Sequence, residues 1–150
     1  GVYKMAAVEK DGVLVPKIKV SDNVSKITNP CFKKLWRLYD KDQMAIADVM
    51  TLRDEVIDDS KPYEIFHPEH IWKRKTLENF TAVELQKPIF LEGKCVYTSP
   101  PLPEIQAYCR QQIGTMWDEV LRFENPHTYY VDLSQPLWDE KQRLLSTVGR

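Results

Sequence analysis

Glycine is scarce in this chain, and its five copies are isolated. None falls into G-x-G-x-x-G or G-x-x-x-x-G-K-[ST], so no glycine-rich loop is available to cradle phosphates. Cysteine is scarcer still. Cys31, Cys95 and Cys109 are far apart, odd in number and outside any C-x-x-C pair, which argues against a disulfide framework or a zinc knuckle and leaves free thiols. Charge of one sign is also missing: 21 basic and 22 acidic residues leave a net charge of -1. No overall field therefore pulls the chain toward nucleic acid or an anionic membrane, and an anion site has to be local. No apolar run approaches the roughly 20 residues that cross a bilayer, and no signal peptide opens the chain, so the expected compartment is the cytoplasm. G-x-S-x-G is absent, and no cysteine has histidine and asparagine partners that sequence identifies. The residues thus encode no self-contained active site.

What is present is a core. With 150 residues and 43 % hydrophobic content, the chain has the material for one globular domain. It opens "GVYKMAAVEK", without an initiator methionine and already strand-like, which reads as the interior of a longer protein. Val2 to Val8 and Val13 to Val20 have strand composition around the turn signal Lys10-Asp11-Gly12, and predict a hairpin. "FKKLWRLYD" and "MAIADVMTL", joined by "KDQ", predict a second hairpin. Asp54 to Lys61 reads as a solvated loop. "YEIFHP" and "PIFLEGKCVYTSP" read as further strands, the latter folded back at Glu92-Gly93-Lys94. From Pro103 the period changes to three and four: Ile105, Cys109, Ile113, Met116, Trp117, Val120 and Leu121 predict one helix that stops before Asn125-Pro126. Ser134 supplies the N-cap of a last helix, with Leu137, Trp138, Lys141, Leu144, Leu145 and Val148 along one face and Gly149 as its stop. The fold class is α+β, β-hairpins followed by two C-terminal amphipathic helices: a β-rich portion over 1–100 and a helical portion over 101–150 of the same domain.

Three stretches invite a chemical reading. "NPHTYYVDLS" would rest a catalytic role on His127 or Asp132, but it reads better as a helix-to-helix corner pinned by Tyr129, Tyr130, Val131 and Leu133. His67 and His70 in "HPEH" have a spacing that can hold a metal on a helix, yet Pro68 breaks any helix and no third ligand is near in sequence. The third is basic: Lys17 and Lys19 share a face of the second strand, and Lys26, Lys33, Lys34 and Arg37 follow. Such side chains hold phosphate oxygens, but alternating lysines also form the outer face of a half-buried hairpin.

The blocks "GVYKMAAVEKDG", "PKIKVSDNVSKITNP", "FKKLWRLYDKD", "FLEGKCVY", "PLPEIQAY" and "NPHTYYVDLSQPLWDEKQRLL" resemble, in order and spacing, the C-terminal part of bacterial nicotinate phosphoribosyltransferase. The resemblance runs almost end to end. It implies an α+β open-faced sandwich domain of a type II phosphoribosyltransferase whose α/β barrel lies upstream. It also implies an enzyme of NAD salvage that joins nicotinate to phosphoribosyl pyrophosphate, with Mg and ATP used by the parent and no cofactor bound by this part. The implied catalytic histidine lies upstream too, so His67, His70 and His127 are not given that role. The implied partners are the upstream barrel and the second subunit of a homodimer. On that basis Lys17, Lys19 and Lys26 are the candidates for contact with a phosphate-bearing ligand. Members of the family commonly carry glycine where this chain has Cys31, a costly exchange only if that position needs positive φ. Neighbouring Lys33 and Lys34 would favour its thiolate, but the plainer reading is an incidental free thiol. The alternatives are an independent binding or scaffold module, or the same portion of a nicotinamide- or quinolinate-using relative.

Overall fold

The computed structural model describes residues 3–148. The strand start expected at Val2 and the helix stop expected at Gly149 lie outside the described residues. β1 (Ala7–Lys10) and β2 (Val13–Pro16) form the first antiparallel hairpin. Asp11 and Gly12 take φ values of 53° and 76° at its tip, the left-handed pair whose twist suits a two-residue turn. β3 (Lys33–Tyr39) and β4 (Ala45–Leu52) pair antiparallel as expected, with an irregularity after Leu38. β5 (Tyr63–Phe66) and β6 (Arg74–Leu77) make a separate ribbon, and β7 (Thr81–Glu84) joins β3 antiparallel. β8 (Phe90–Leu91) and β9 (Lys94–Cys95) close over the expected Glu92-Gly93 turn. α1 (Leu102–Ile113), the single turn α2 (Asp118–Leu121), β10 (Val131–Leu133) and α3 (Gln135–Thr147) complete the order. The main sheet runs β10-β4-β3-β7, with β10 parallel to β4.

One face of this sheet makes the core. Trp36 and Leu38 of β3 and Ala47 and Val49 of β4 pack with Ile57, Ile65, Leu77 and Phe80. Each large apolar side chain so buried contributes about 1.5–3 kcal/mol relative to exposure. The Trp36 indole N–H donates to Thr51 Oγ1 at 3.0 Å, which satisfies a polar group inside the apolar layer. α3 is anchored at its start. Ser134 Oγ accepts from the Leu137 N–H at 3.4 Å, as an N-cap should, and donates to Glu55 Oε2 at 2.7 Å. Trp138 then meets Phe66 edge-on and donates its indole N–H to the Pro68 carbonyl. Among the described residues no helix is long and apolar enough to cross a membrane.

The structure departs from the sequence reading in five places. The strand expected over Val2 to Val8 begins only at Ala7 and runs through Lys10, which was expected in the turn. The helix expected from Pro103 through Leu121 is broken at 114–117. There the Thr115 hydroxyl turns back to the Gln112 carbonyl while the Thr115 carbonyl accepts from Ala45 N–H, so a bond to the sheet replaces helix continuation. The corner at 125–134 holds a strand, β10, and leaves Tyr130 and Val131 exposed while Leu133 is buried. β6 and β7 arise in a polar stretch to which the sequence reading assigned no element. Finally, β2 ends at Pro16, so Lys17 and Lys19 lie beyond it. Lys17 N–H still reaches the Ala6 carbonyl, but Lys19 N–H turns to Thr28 Oγ1 at 2.8 Å.

Candidate functional site

Subtraction sorts the six basic residues between Lys17 and Arg37. Arg37 faces its register partner Asp48 across β3 and β4, with Nε 2.8 Å from Oδ1 and Nη2 3.0 Å from Oδ2, a two-pronged pair. The Tyr129 hydroxyl donates to the same Oδ1 at 2.9 Å. The Asp48 carboxylate holds the Arg37 guanidinium above its ordinary pKa. Burial, reinforced by Asp48, raises the Tyr129 phenol as well. Lys34 pairs with Glu84 at 3.7 Å and lies over the Trp36 ring. Lys33 donates to the carbonyls of Asn29, Pro30 and Cys31 at 2.9, 3.1 and 2.6 Å, using all three ammonium protons on one loop. Burial depresses the Lys33 pKa.

These three cations are engaged by the chain itself. Lys17, Lys19 and Lys26 are different: their side chains are exposed. Lys26 closes a short 3-10 turn (Val24–Lys26), and its carbonyl accepts from Lys4 Nζ at 3.1 Å. The Thr28 amide donates back to the Lys19 carbonyl at 3.2 Å, which folds the Lys19 backbone against the segment that follows Lys26. Lys17 is held elsewhere, opposite Ala6.

Cys31 has φ 75°, the left-handed region in which a side chain is strained. The position thus has the backbone requirement that glycine meets without cost. Its thiol is not activated: burial, with Glu140 adding to it, pushes the pKa up against the opposing pull of Lys33. The thiolate alternative fails because desolvation outweighs the lysine, and the plainer free-thiol reading is the one that fits.

His67 and His70 stack with ring centroids 4.7 Å apart. His67 Nδ1 accepts from the amides of Glu69 and His70 at 3.1 and 3.0 Å, so that nitrogen holds a turn. Among the described residues no three His, Cys, Asp or Glu side chains gather as metal ligands. Beside His67 lies a cleft of about 260 Å³ floored by Asp132. Asp132 is 3 % exposed, and its Oδ1 has no hydrogen-bond partner among the described residues. Burial pushes its carboxyl up to about 6. Sequence reading set Asp132 aside with its loop. An aspartate between Val131 and Leu133 in a strand points to the face opposite those two, but nothing in the sequence says that this face is covered.

Comparison with known proteins bears on what these groups serve. The family model for the nicotinate phosphoribosyltransferase C-terminal domain matches residues 32–141. The chain is 36 % identical over 148 residues to the nicotinate phosphoribosyltransferase of Bacillus subtilis (strain 168), covering 98 % of this chain and 30 % of that protein. It is 32 % identical over 141 residues to the Caenorhabditis elegans nicotinate phosphoribosyltransferase, covering 91 % and 24 %. The crystal structure of human nicotinic acid phosphoribosyltransferase shares the fold, with a TM-score of 0.72 at 22 % identity over 79 % of this chain and 24 % of that one. The chain therefore spans less than a third of the length of these relatives.

Proposed function

The chain belongs to the nicotinate phosphoribosyltransferase C-terminal domain family, and from that premise we propose that it acts as the non-catalytic C-terminal portion of such an enzyme. The parent reaction joins nicotinate to phosphoribosyl pyrophosphate, giving nicotinate mononucleotide and pyrophosphate in NAD salvage, with ATP hydrolysis and Mg. Transition-state stabilisation of that kind needs groups preorganised around a sugar cation and a leaving pyrophosphate. We assign those groups, and the Mg and ATP, to the longer part of the enzyme. The observation that carries the reading is the near-complete match of this chain to less than a third of its relative.

Its work in that setting is support. α1 has no buried residue, and Leu102, Ile105, Tyr108 and Ile113 are 45 to 65 % exposed along it. A face of this kind suits packing against the barrel of an open-faced sandwich enzyme, in which the portions 1–100 and 101–150 form one domain. The same reading makes the enzyme a cytoplasmic homodimer. Lys17, Lys19 and Lys26, exposed while their neighbours are engaged, stand near a phosphate-bearing ligand at the subunit boundary.

Nicotinate-dependent pyrophosphate release separates the roles. The expected result is activity in the full-length enzyme and none in the 150-residue chain. Activity in the chain alone overturns the supporting role. For the lysines, alanine at all three positions in the full-length enzyme should weaken apparent affinity for ATP or phosphoribosyl pyrophosphate. Unchanged affinity for both removes them from the site.

A further inference from the structure

We propose that the cleft over Asp132 is the seat of a basic side chain presented by the rest of the phosphoribosyltransferase polypeptide. This rests on the reading that the chain works inside a longer enzyme, and it names the contact. The starting point is the orphaned carboxylate. A native interior pairs its buried polar groups, and an unpaired buried charge is among the costliest things to leave. Asp132 is almost wholly buried, yet among the described residues no donor reaches its Oδ1. Burial raises its pKa, and among the described residues no cation is paired with it.

The nearby cations are placed elsewhere. Arg74 pairs with Glu64 and lies over the Phe66 ring at 4.7 Å. Lys73 and Lys75 line the cleft but are exposed at its rim. The cleft is therefore negative at its floor and positive at its edge. A partner that fits carries the reverse pattern, a cation at the centre with acidic groups around it, and such alternation fixes register as well as attraction.

Size and walls narrow the guest. About 260 Å³ lies below the span usual for cofactor pockets, roughly 300–1,000 Å³, and suits a single long side chain. Ile46, Ile65 and Phe66 offer apolar wall and Tyr130 an aromatic one. That lining accepts the stem and planar head of arginine better than a strongly hydrated ion. Tyr130 of the lining is 46 % exposed, and Trp72, 72 % exposed and next in sequence to Lys73 of the lining, packs its ring against His70, which stacks on the lining residue His67. Aromatic anchors around a buried charged centre are the composition of a protein interface. The occupant belongs to the same enzyme chain because the relatives carry more than twice as much polypeptide again outside the matched region.

The test compares Asp132→Asn in the full-length enzyme and in the 150-residue chain by thermal melting. In the chain alone the substitution removes an unpaired charge and leaves the melting temperature unchanged or higher. In the full-length enzyme it strands the guest cation, and the melting temperature falls. The same sign in both settings overturns the proposal. Trp72→Ala gives a second route, since an exposed ring can be lost without harming the fold. It should lower only the full-length enzyme's melting temperature, and no effect there also overturns the proposal. Amide exchange separates this from the broader reading. Amides at 66–75 and 130–133 should exchange at least about tenfold more slowly in the full-length enzyme than in the chain. Protection on α1 without protection at the cleft overturns the inference and leaves the supporting role standing; protection at neither overturns both. Cleft protection that appears only at high protein concentration assigns the seat to a second copy, and the proposal fails in that form.

Discussion

Asp48 and Asp132 lie on neighbouring strands and are both buried, at 7 and 3 % exposure. The parallel register sets Val131 beside Asp48 and Asp132 beside Val49, so the two carboxylates project from opposite faces. Asp48 is complete within the chain: Arg37 grips both oxygens and Tyr129 donates to one. Asp132 has an oxygen with no donor among the described residues. The difference teaches that burial does not measure completion. One face of this sheet solves its electrostatics locally, while the other holds a charge whose partner the described residues do not supply.

The comparison breaks most visibly at Arg37. Arg37→Ala leaves Asp48 buried with only Tyr129, and removing one partner of such a pair costs about 3–5 kcal/mol. Because the pair is partly solvent-accessible, at 15 and 10 % side-chain exposure, the lower end of that range is expected in urea unfolding. A loss below about 1 kcal/mol would place the pair with weak surface bridges.

Asp132 responds to pH instead. Its folded pKa of about 6 lies above the ordinary value, so the folded state holds the proton longer than the unfolded state. Its share of stability is therefore full below about pH 4 and is lost as pH rises through about 6, a fall of at most about 3 kcal/mol. Other carboxyls act in the opposite sense, as Glu140 does, held below its ordinary value by Arg143. The quantity to measure is thus the difference between wild type and Asp132→Asn. That difference should move in favour of the variant between pH 4 and 6.5, and a flat difference would show that Asp132 is paired.

How far this was legible follows from where each signal resides. The β3–β4 hairpin could be read because its strands carry their own apolar sets and its turn its own polar residues. Asp11-Gly12, Glu92-Gly93 and the Ser134 cap were legible for the same local reason. β6 and β7 were not, since Arg74-Lys75-Thr76 has no apolar alternation, and pairing with β5 and β3 makes these segments strands. The break after α1 depends on a bond from Ala45, far away in sequence. The three lysines singled out in the sequence are exposed, though two of them were placed on a strand that ends before them. The Arg37–Asp48 pair and the orphan at Asp132 needed the register, which no single segment contains. Local chemistry shows in local sequence; completion of a buried charge does not.

Glu55 sharpens the comparison as a third carboxylate, completed by the chain near β10. Its Oε2 accepts from Leu52 N–H at 2.6 Å and from the Ser134 hydroxyl at 2.7 Å. Ser134→Ala removes both that donor and the cap of α3, for a loss of about 1–2 kcal/mol. Loss of only a few tenths would mean that water replaces the hydroxyl.

The smallest effect is expected where the chain stores strain in its backbone. Cys31 holds φ 75°, fixed by its amide on the Ala6 carbonyl and by Lys33 on the carbonyls around it. The left-handed conformation costs a non-glycine residue about 1–2 kcal/mol, and glycine's greater freedom when unfolded offsets about 0.5–1 kcal/mol of that. Cys31→Gly should therefore stabilise the chain by up to about 1 kcal/mol, although the half-buried thiol gives up some packing. Gly and Ala together are decisive: relief of strain predicts that Cys31→Gly melts higher than wild type and Cys31→Ala does not. If both rise equally, the gain comes from removing the thiol, and the loop that Lys33 ties down is not strained.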